Sequence, residues 1–456
     1  MRDYIAIVDG LTGARINEGV SFENGMHGYV SKIDEKFVWV IVFSKISLVI
    51  GAAVARTGSK LMVSCGDGML GHIVSPLGYD IDENKEESQE TELVVIDAPV
   101  WGIEKRKMIT KPLLTGTTLV DLALPLGNGQ RELVIGERKT GKTQFALQAL
   151  ACQVKQGKLG VYCGIGKQAR EIVAVKEWLV KNKVYDRVVI VAATARDNQA
   201  EIALAPYTAM SIAENMRDNG KDVLVVLDDM TTHAKYYREM ALVLGKFPGR
   251  DSYPGNIFYI QSKILERAGC FNVNGQERSI SCLAIAETVG GDLTGYIQTN
   301  LMSITDGHIY FDLDRFQHGL RPAINIFLSV TRVGRQTRGK LFHDVSKEIY
   351  SILKKIETAK IFTKFGPEQT EEIRKTLIRG VNLDKLLRQT GSRMYEEWEM
   401  LYLYAWYRKD SEVIESPEEI LSKVKSEEQL ESWKAMLEKM ETAEEMTHYV
   451  NMSFQT

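Results

Sequence analysis

Gly136-Glu137-Arg138-Lys139-Thr140-Gly141-Lys142-Thr143 fits the spacing G-x-x-x-x-G-K-[ST]. Its glycines let successive backbone N–H groups turn inward onto phosphate oxygens. Lys142 would then reach the terminal phosphates, and the Thr143 hydroxyl would ligate Mg²⁺. A second candidate is Val223-Leu224-Val225-Val226-Leu227-Asp228-Asp229, an apolar run that ends in two acids. At the carboxyl end of a strand beside a phosphate loop, an Asp can hold Mg²⁺ through water. We assign that role to Asp228, with Asp229 orienting its neighbours. Apolar runs ending in Asp are common, so this signal gains its meaning from the loop. Together the two imply a bound nucleoside triphosphate, ATP or its product ADP, with Mg²⁺.

Such a loop means something only between a strand and a helix. Glu132-Leu133-Val134-Ile135 reads as a short buried strand, and Gln144-Phe145-Ala146-Leu147 as a helix start. Further strands are expected at residues 159–163, 188–192, 223–227, 257–260, 281–285 and 303–310, with a helix at 202–216. Alternation of this kind predicts a largely parallel sheet covered by helices, with ligands at the carboxyl ends of the strands. Residues 1–75 read differently, as short strands separated by turns such as Glu23-Asn24-Gly25, which predicts a small β-barrel. Residues 346–456 are rich in Glu, Lys, Leu and Met and predict a helical bundle, with Ser416 and Pro417 opening one helix. The expected division is therefore 1–75, 76–345 and 346–456. A polar acidic stretch, Ile81 to Thr91, reads as an exposed loop near the first boundary.

Composition narrows the function classes. The 456 residues carry 57 Lys+Arg against 60 Asp+Glu, a net charge of −3, which argues against a large nucleic-acid surface. The longest apolar runs, such as Phe37 to Phe43, are too short to span a bilayer, and the first residues lack a signal peptide's apolar core. A cytoplasmic protein is expected, possible membrane attachment being peripheral. Five scattered cysteines without a C-x-x-C pair read as buried reduced thiols.

Several stretches together resemble the α subunit of the rotary F-type ATP synthase/ATPase. They are the phosphate loop with Arg138 inside it, Leu204-Ala205-Pro206-Tyr207, Phe247-Pro248-Gly249-Arg250, Ser303-Ile304-Thr305-Asp306-Gly307, Gly319-Leu320-Arg321-Pro322-Ala323-Ile324-Asn325 and Ser329-Val330-Thr331-Arg332-Val333-Gly334. The resemblance runs from about residue 5 to 410. It implies an N-terminal β-barrel, a central RecA-like α/β domain and a C-terminal helical domain. It also implies an alternating ring with β-type catalytic subunits around a γ-type central stalk, in which the α site binds Mg-ATP without turning it over. By the same resemblance Gly136, Arg138, Lys139, Thr140, Gly141, Lys142, Thr143 and Asp228 bind the nucleotide, and Phe316, Arg321 and Gln389 line its adenine side. The family's second Gln near Gln389 is Gly391 here.

Hydrolysis needs a group that accepts a proton from water or positions it. The β-type chain carries a Glu just after a Gly-x-Gly that corresponds to Gly164-Ile165-Gly166; here Lys167 follows. An ammonium donates hydrogen bonds and accepts none. The usual α residue is Gln, so Lys167 departs from both patterns. Glu171 could serve only through a shift of four positions. Arg332 matches an arginine finger that reaches a neighbouring β subunit's nucleotide, a device that contributes on the order of 10³–10⁵ in rate.

The family's N-terminal extension is not seen before the barrel, and the tail beyond about residue 410 outruns the resemblance. Both fit a divergent paralogue of the type found in mycoplasmas, with machine-specific partners and a mechanical load in place of a membrane rotor. The rivals are a self-sufficient hexameric ATPase of the secretion type, which needs its own carboxylate, and a Rho-like RNA translocase, which needs exposed aromatics among basic residues on the barrel. Trp39 and Phe43 read as buried. A ring member that has lost nucleotide is disfavoured by Lys142, Thr143 and Asp228.

Overall fold

A computed structural model describes residues 4–43, 49–81, 91–365, 371–390, 393–409, 415–424 and 426–454, the side chains of 362–365 excepted. The acidic stretch 82–90 and Gly391 lie outside these residues. The chain forms two compact units. One comprises Met1–Met108, Asn128–Arg138 and Gln153–Asp306; the other comprises Ile109–Gly127, Lys139–Cys152 and Gly307–Thr456.

The first unit opens with an antiparallel, barrel-like sheet in the order Ile5–Asp9, Phe37–Phe43, His27–Ile33, Glu18–Phe22, Val54–Lys60. Val38, Val40 and Val42 alternate onto one face and pack with Val20, Phe22, Met26 and Val30. Phe43 is buried against Tyr29. Trp39 is only half-buried, because the alternation places it on the opposite face, where its indole N–H donates to Asp34 at 2.7 Å.

The same unit holds a parallel sheet in the order Arg131–Gly136, Gln276–Glu287, Val223–Asp228, Leu159–Lys167, Val188–Thr194, Ile73–Val74. Its strands are continuous apolar runs since helices cover both faces, and Val223 to Leu227 are wholly buried. Gly136 pairs with Glu287, Leu227 with Ala284 and Asp228 with Gly164, so four carboxyl ends share one edge. The helix expected at 202–216 runs over Gln199–Asp218.

Two expected strands are corrected. Residues 257–260 open a helix, Ile257–Leu265, that buries Ile257, Gln261, Ile264 and Leu265. That is the 3.6-residue period, which four apolar residues are too few to display. Residues 303–310 divide into the end of a helix, Tyr296–Ile304, and a strand, Gly307–Phe311.

The second unit is mostly helical: Lys340–Phe365, Glu371–Leu387, Glu397–Lys409, Pro417–Leu421, Glu427–Leu437 and Ala443–Ser453. Ser416 and Glu419 form the capping box that opens Pro417–Leu421. The described residues of the tail, 415–424 and 426–454, pack onto the helices before them. Trp433 is fully buried, meets Tyr402 edge-on with centroids 5.5 Å apart, and donates its indole N–H to the Trp398 carbonyl at 3.2 Å. Among the described residues no helix is long and apolar enough to cross a membrane. All five cysteines are buried and unbonded to one another.

Candidate nucleotide site

The strand Arg131–Gly136 delivers the glycine-rich loop, and the helix Lys142–Lys155 receives it. Glu137 accepts a hydrogen bond from the Gly291 amide at 2.6 Å, which fixes the start of the loop. Arg138 is exposed and bonds Glu287, the residue paired with Gly136, at 2.8 Å. Lys139 at φ 62° and Gly141 at φ 102° put the turn into left-handed backbone, the conformation that aims N–H groups into one concavity. Thr140 and Lys142 are buried. The Phe145 amide then bonds the Gly141 carbonyl and the helix is under way. The loop has the backbone form and donor types that phosphate requires.

The acids stand at the end of Val223–Asp228. Asp228 is 1% exposed, and both of its oxygens have partners: the Lys167 ammonium lies 2.6 Å from Oδ1, and the Tyr162 hydroxyl donates to Oδ2 at 3.0 Å. Asp229 caps the helix Met230–Val243 by accepting from the Thr232 amide at 2.5 Å and the Thr232 hydroxyl at 3.1 Å. Burial pushes the Asp229 carboxyl up to about 6, against the pull of Lys167.

Lys167 owes its place to Gly166. That glycine has φ 65°, and a Cβ there would lie 2.8 Å from both Thr232 and the Tyr236 ring. A bulge between Ile165 and Lys167 follows, and it turns the lysine toward Asp228. Burial works against the ammonium, but Asp228 and Asp229 together hold its proton above the usual lysine range. Glu171 is employed elsewhere. It accepts from the Gln168 amide at 2.8 Å in the first turn of the helix Ala169–Lys181.

Oxygen donors such as Thr143 and Asp228 suit magnesium. With Lys167 and Tyr162 on its two oxygens, however, Asp228 fits a divalent ion only through intervening water.

In the second unit the three residues expected on the adenine side come together. The Arg321 guanidinium stacks 3.5 Å from the Phe316 ring centre, and the Gln389 amide N–H donates to the Arg321 carbonyl at 2.9 Å. The Gln389 side chain is a staple: Oε1 accepts from the Thr118 amide at 2.7 Å, and Nε2 donates to the carbonyls of Gly116 at 2.7 Å and Arg393 at 3.2 Å. Gln148, from the helix after the loop, donates to the same Gly116 carbonyl at 3.1 Å. Beneath them Asp121, 1% exposed, accepts from the amides of Thr115 and Gly116. Burial pushes its carboxyl up to about 6.

Arg332 follows the strand Val330–Thr331 and is exposed. The Thr331 hydroxyl donates to the Pro125 carbonyl at 2.8 Å, and a Cβ at Gly334 would collide with that same carbonyl. The segment is thus pinned on both sides, while the Arg332 guanidinium has no hydrogen bond or ion pair among the described residues. Sequence reasoning missed Tyr162, Gln148 and Asp121. Gln148 carried a signal, four residues beyond Gln144 on the predicted helix; Tyr162 read only as part of an apolar strand.

Residues 116–331 match the model of the ATP synthase alpha/beta family, nucleotide-binding domain. ATP synthase subunit alpha 2 of Syntrophotalea carbinolica is 39% identical over 389 residues, 85% of this chain and 74% of that protein. ATP synthase subunit alpha of a Sulfurovum species is 38% identical over 388 residues, 85% of this chain and 77% of that protein.

Proposed function

The chain belongs to the ATP synthase α-subunit family, and from that premise we propose that it holds Mg-ATP without hydrolysing it and completes a neighbouring subunit's catalytic site. Gly136, Arg138, Lys139, Thr140 and Gly141 form the phosphate cradle, with Lys142 on the terminal phosphates. Thr143 ligates the magnesium ion, and Asp228 meets it through water. Phe316 and Arg321 offer the base a flat face, and Gln389 borders it.

The observation that carries this reading is the Lys167–Asp228 ion pair at 2.6 Å, beside a Glu171 committed to its helix start. Where a water-activating carboxylate would stand, this chain presents a donor that cannot take a proton. Arg332, exposed on its pinned segment and with no ion pair among the described residues, supports the finger role, since a surface salt-bridge arginine would have an acid beside it.

The partners of this reading are β-type catalytic subunits in an alternating ring and a γ-type central stalk. The ring couples ATP hydrolysis or synthesis to rotation at the cytoplasmic side. The divergent, mycoplasma-type version adds machine-specific subunits and a mechanical load. The decisive experiment measures ATP binding and steady-state turnover on the isolated chain. Binding without turnover is expected, and fast turnover by the chain alone overturns the proposal. Co-purification with membrane-rotor and peripheral-stalk proteins would count against the divergent version alone.

A further inference from the structure

Between the barrel-like sheet and three helices of the first unit lies a cavity of about 370 Å³, a size that suits a small organic molecule. Every residue lining it belongs to that one unit. Tyr29 comes from the strand His27–Ile33, Tyr207 from the helix Gln199–Asp218, and Tyr237 and Met240 from the helix Met230–Val243. The polar groups left unanswered in this lining are donors. The Tyr29 hydroxyl reaches only the Met240 sulfur, at 4.0 Å, and the Tyr207 hydroxyl has no hydrogen bond among the described residues. Burial holds both phenols above the usual tyrosine range, so each keeps its proton to donate. Three ammoniums also line the cavity. Lys263 is spoken for: Asp97, the one carboxylate in the lining, pairs with it at 2.6 Å. Lys60 and Lys246 have no ion pair among the described residues. The Lys246 ammonium lies 6.0 Å from the Tyr237 ring centre, and burial, with no acid to offset it, pulls it below the usual lysine range. Two uncompensated cations and two idle phenols beside aromatic walls call for a ligand that brings acceptors and negative charge on a flat apolar body.

We propose that this cavity is a binding site for a small aromatic organic anion. Lys246 is the main partner of its anionic head, Lys60 the second, and the Tyr207 hydroxyl donates to the same head. The ring of the ligand lies among Tyr29, Tyr237 and Met240. The site and the nucleotide-holding reading stand on different residues, and neither depends on the other.

The test is calorimetric titration of 2-naphthoate, and of its uncharged isostere 2-naphthamide, into the full chain. The unaltered protein should bind the anion at least about tenfold more tightly than the amide, the scale of one charge-assisted hydrogen bond. Lys246→Met should weaken naphthoate on the order of ten- to a hundredfold and leave the amide nearly unchanged. Lys246→Arg keeps the charge and should follow the unaltered protein. Tyr207→Phe, which keeps the ring, should cost about two- to tenfold for the anion. Melting temperatures of the three variants should match the parent, because neither side chain has a hydrogen bond or ion pair to lose. No binding of naphthoate at millimolar concentration overturns the proposal. So does equal affinity for anion and amide, or a Lys246→Met chain that binds naphthoate as its parent does.

Discussion

Two loops leave the carboxyl ends of the parallel sheet, with two strands between them, and have gone opposite ways. After Arg131–Gly136 the chain keeps every residue type that phosphate binding asks for, including left-handed backbone at Lys139 and Gly141. After Leu159–Lys167 it keeps the turn, with Gly166 wedged against Thr232 and Tyr236, but ends it in an ammonium. On the proposed reading the first loop binds through its backbone together with the Lys142 and Thr143 side chains. The second depends on a single side chain. On the proposed reading, holding a nucleotide and breaking it are separable demands, divided by one residue type at the second loop.

The sharpest attack on that division goes through Arg332. If chemistry is completed outside this chain, Arg332→Ala in the assembled ring should lower ATPase by on the order of 10³–10⁵ while ATP stays bound at this chain's own loop. Steady-state ATPase and bound-nucleotide counts on the same preparation check both halves. Unchanged turnover would end the finger role and leave the first loop with no partner in catalysis.

Next in size is the ion pair itself. Asp228→Asn leaves the Lys167 ammonium poorly compensated beside a buried strand end, a defect that costs about 3–5 kcal/mol when one partner of a buried pair is removed. Chemical denaturation should show that loss. The double substitution Asp228→Asn with Lys167→Met should recover much of it, because the unpaired charge is then gone. Equal losses in the single and double variants would mean that the pair is not what holds the second loop.

What the amino-acid order could reveal follows the same line between local and distant. The phosphate loop is contiguous, and its strand and helix flank it directly, so it could be read whole. The run from Val223 to Leu227 announced itself as a strand because both sheet faces are covered. Residues 257–260 misled because a buried strand and the first turn of a buried helix look alike over four positions. Tyr162 was invisible as an Asp228 partner, since in sequence it is one more apolar-strand residue, 66 positions away. The Gln389 staple spans 271 positions to Thr118, and only the folded chain brings them together.

His233 sharpens the comparison through pH. It lies on the helix that Asp229 caps and that Gly166 approaches, and it is fully buried. Nε2 meets the Ala203 carbonyl at 3.2 Å, and burial brings its pKa down from 6.5 to about 4. The unfolded chain therefore binds a proton between those values while the folded chain does not. Stability from this group is complete above pH 6.5 and is lost as pH falls toward 4, by up to about 3 kcal/mol. Denaturation midpoints at pH 7 and pH 4.5 should converge less in the parent than in His233→Gln, whose curve should be flatter. A parent curve with the same slope as the variant would show that the helix beneath the second loop is open to water.

The smallest effect distinguishes reading a base from holding a wall. Three hydrogen bonds of the Gln389 amide go to backbone, so Gln389→Ala strips the Thr118 N–H and the Gly116 carbonyl of a partner. Because Gln148 still serves Gly116, the loss should be about 1–2 kcal/mol, seen as a lowered melting temperature. One lone pair on Oε1 remains for a base amine, and a single neutral hydrogen bond there limits the change in ATP-over-GTP preference to about tenfold. Parallel melts and ATP and GTP titrations weigh the two. A large fall in preference with an unmoved melting temperature would make Gln389 a reader of the base and its staple bonds incidental.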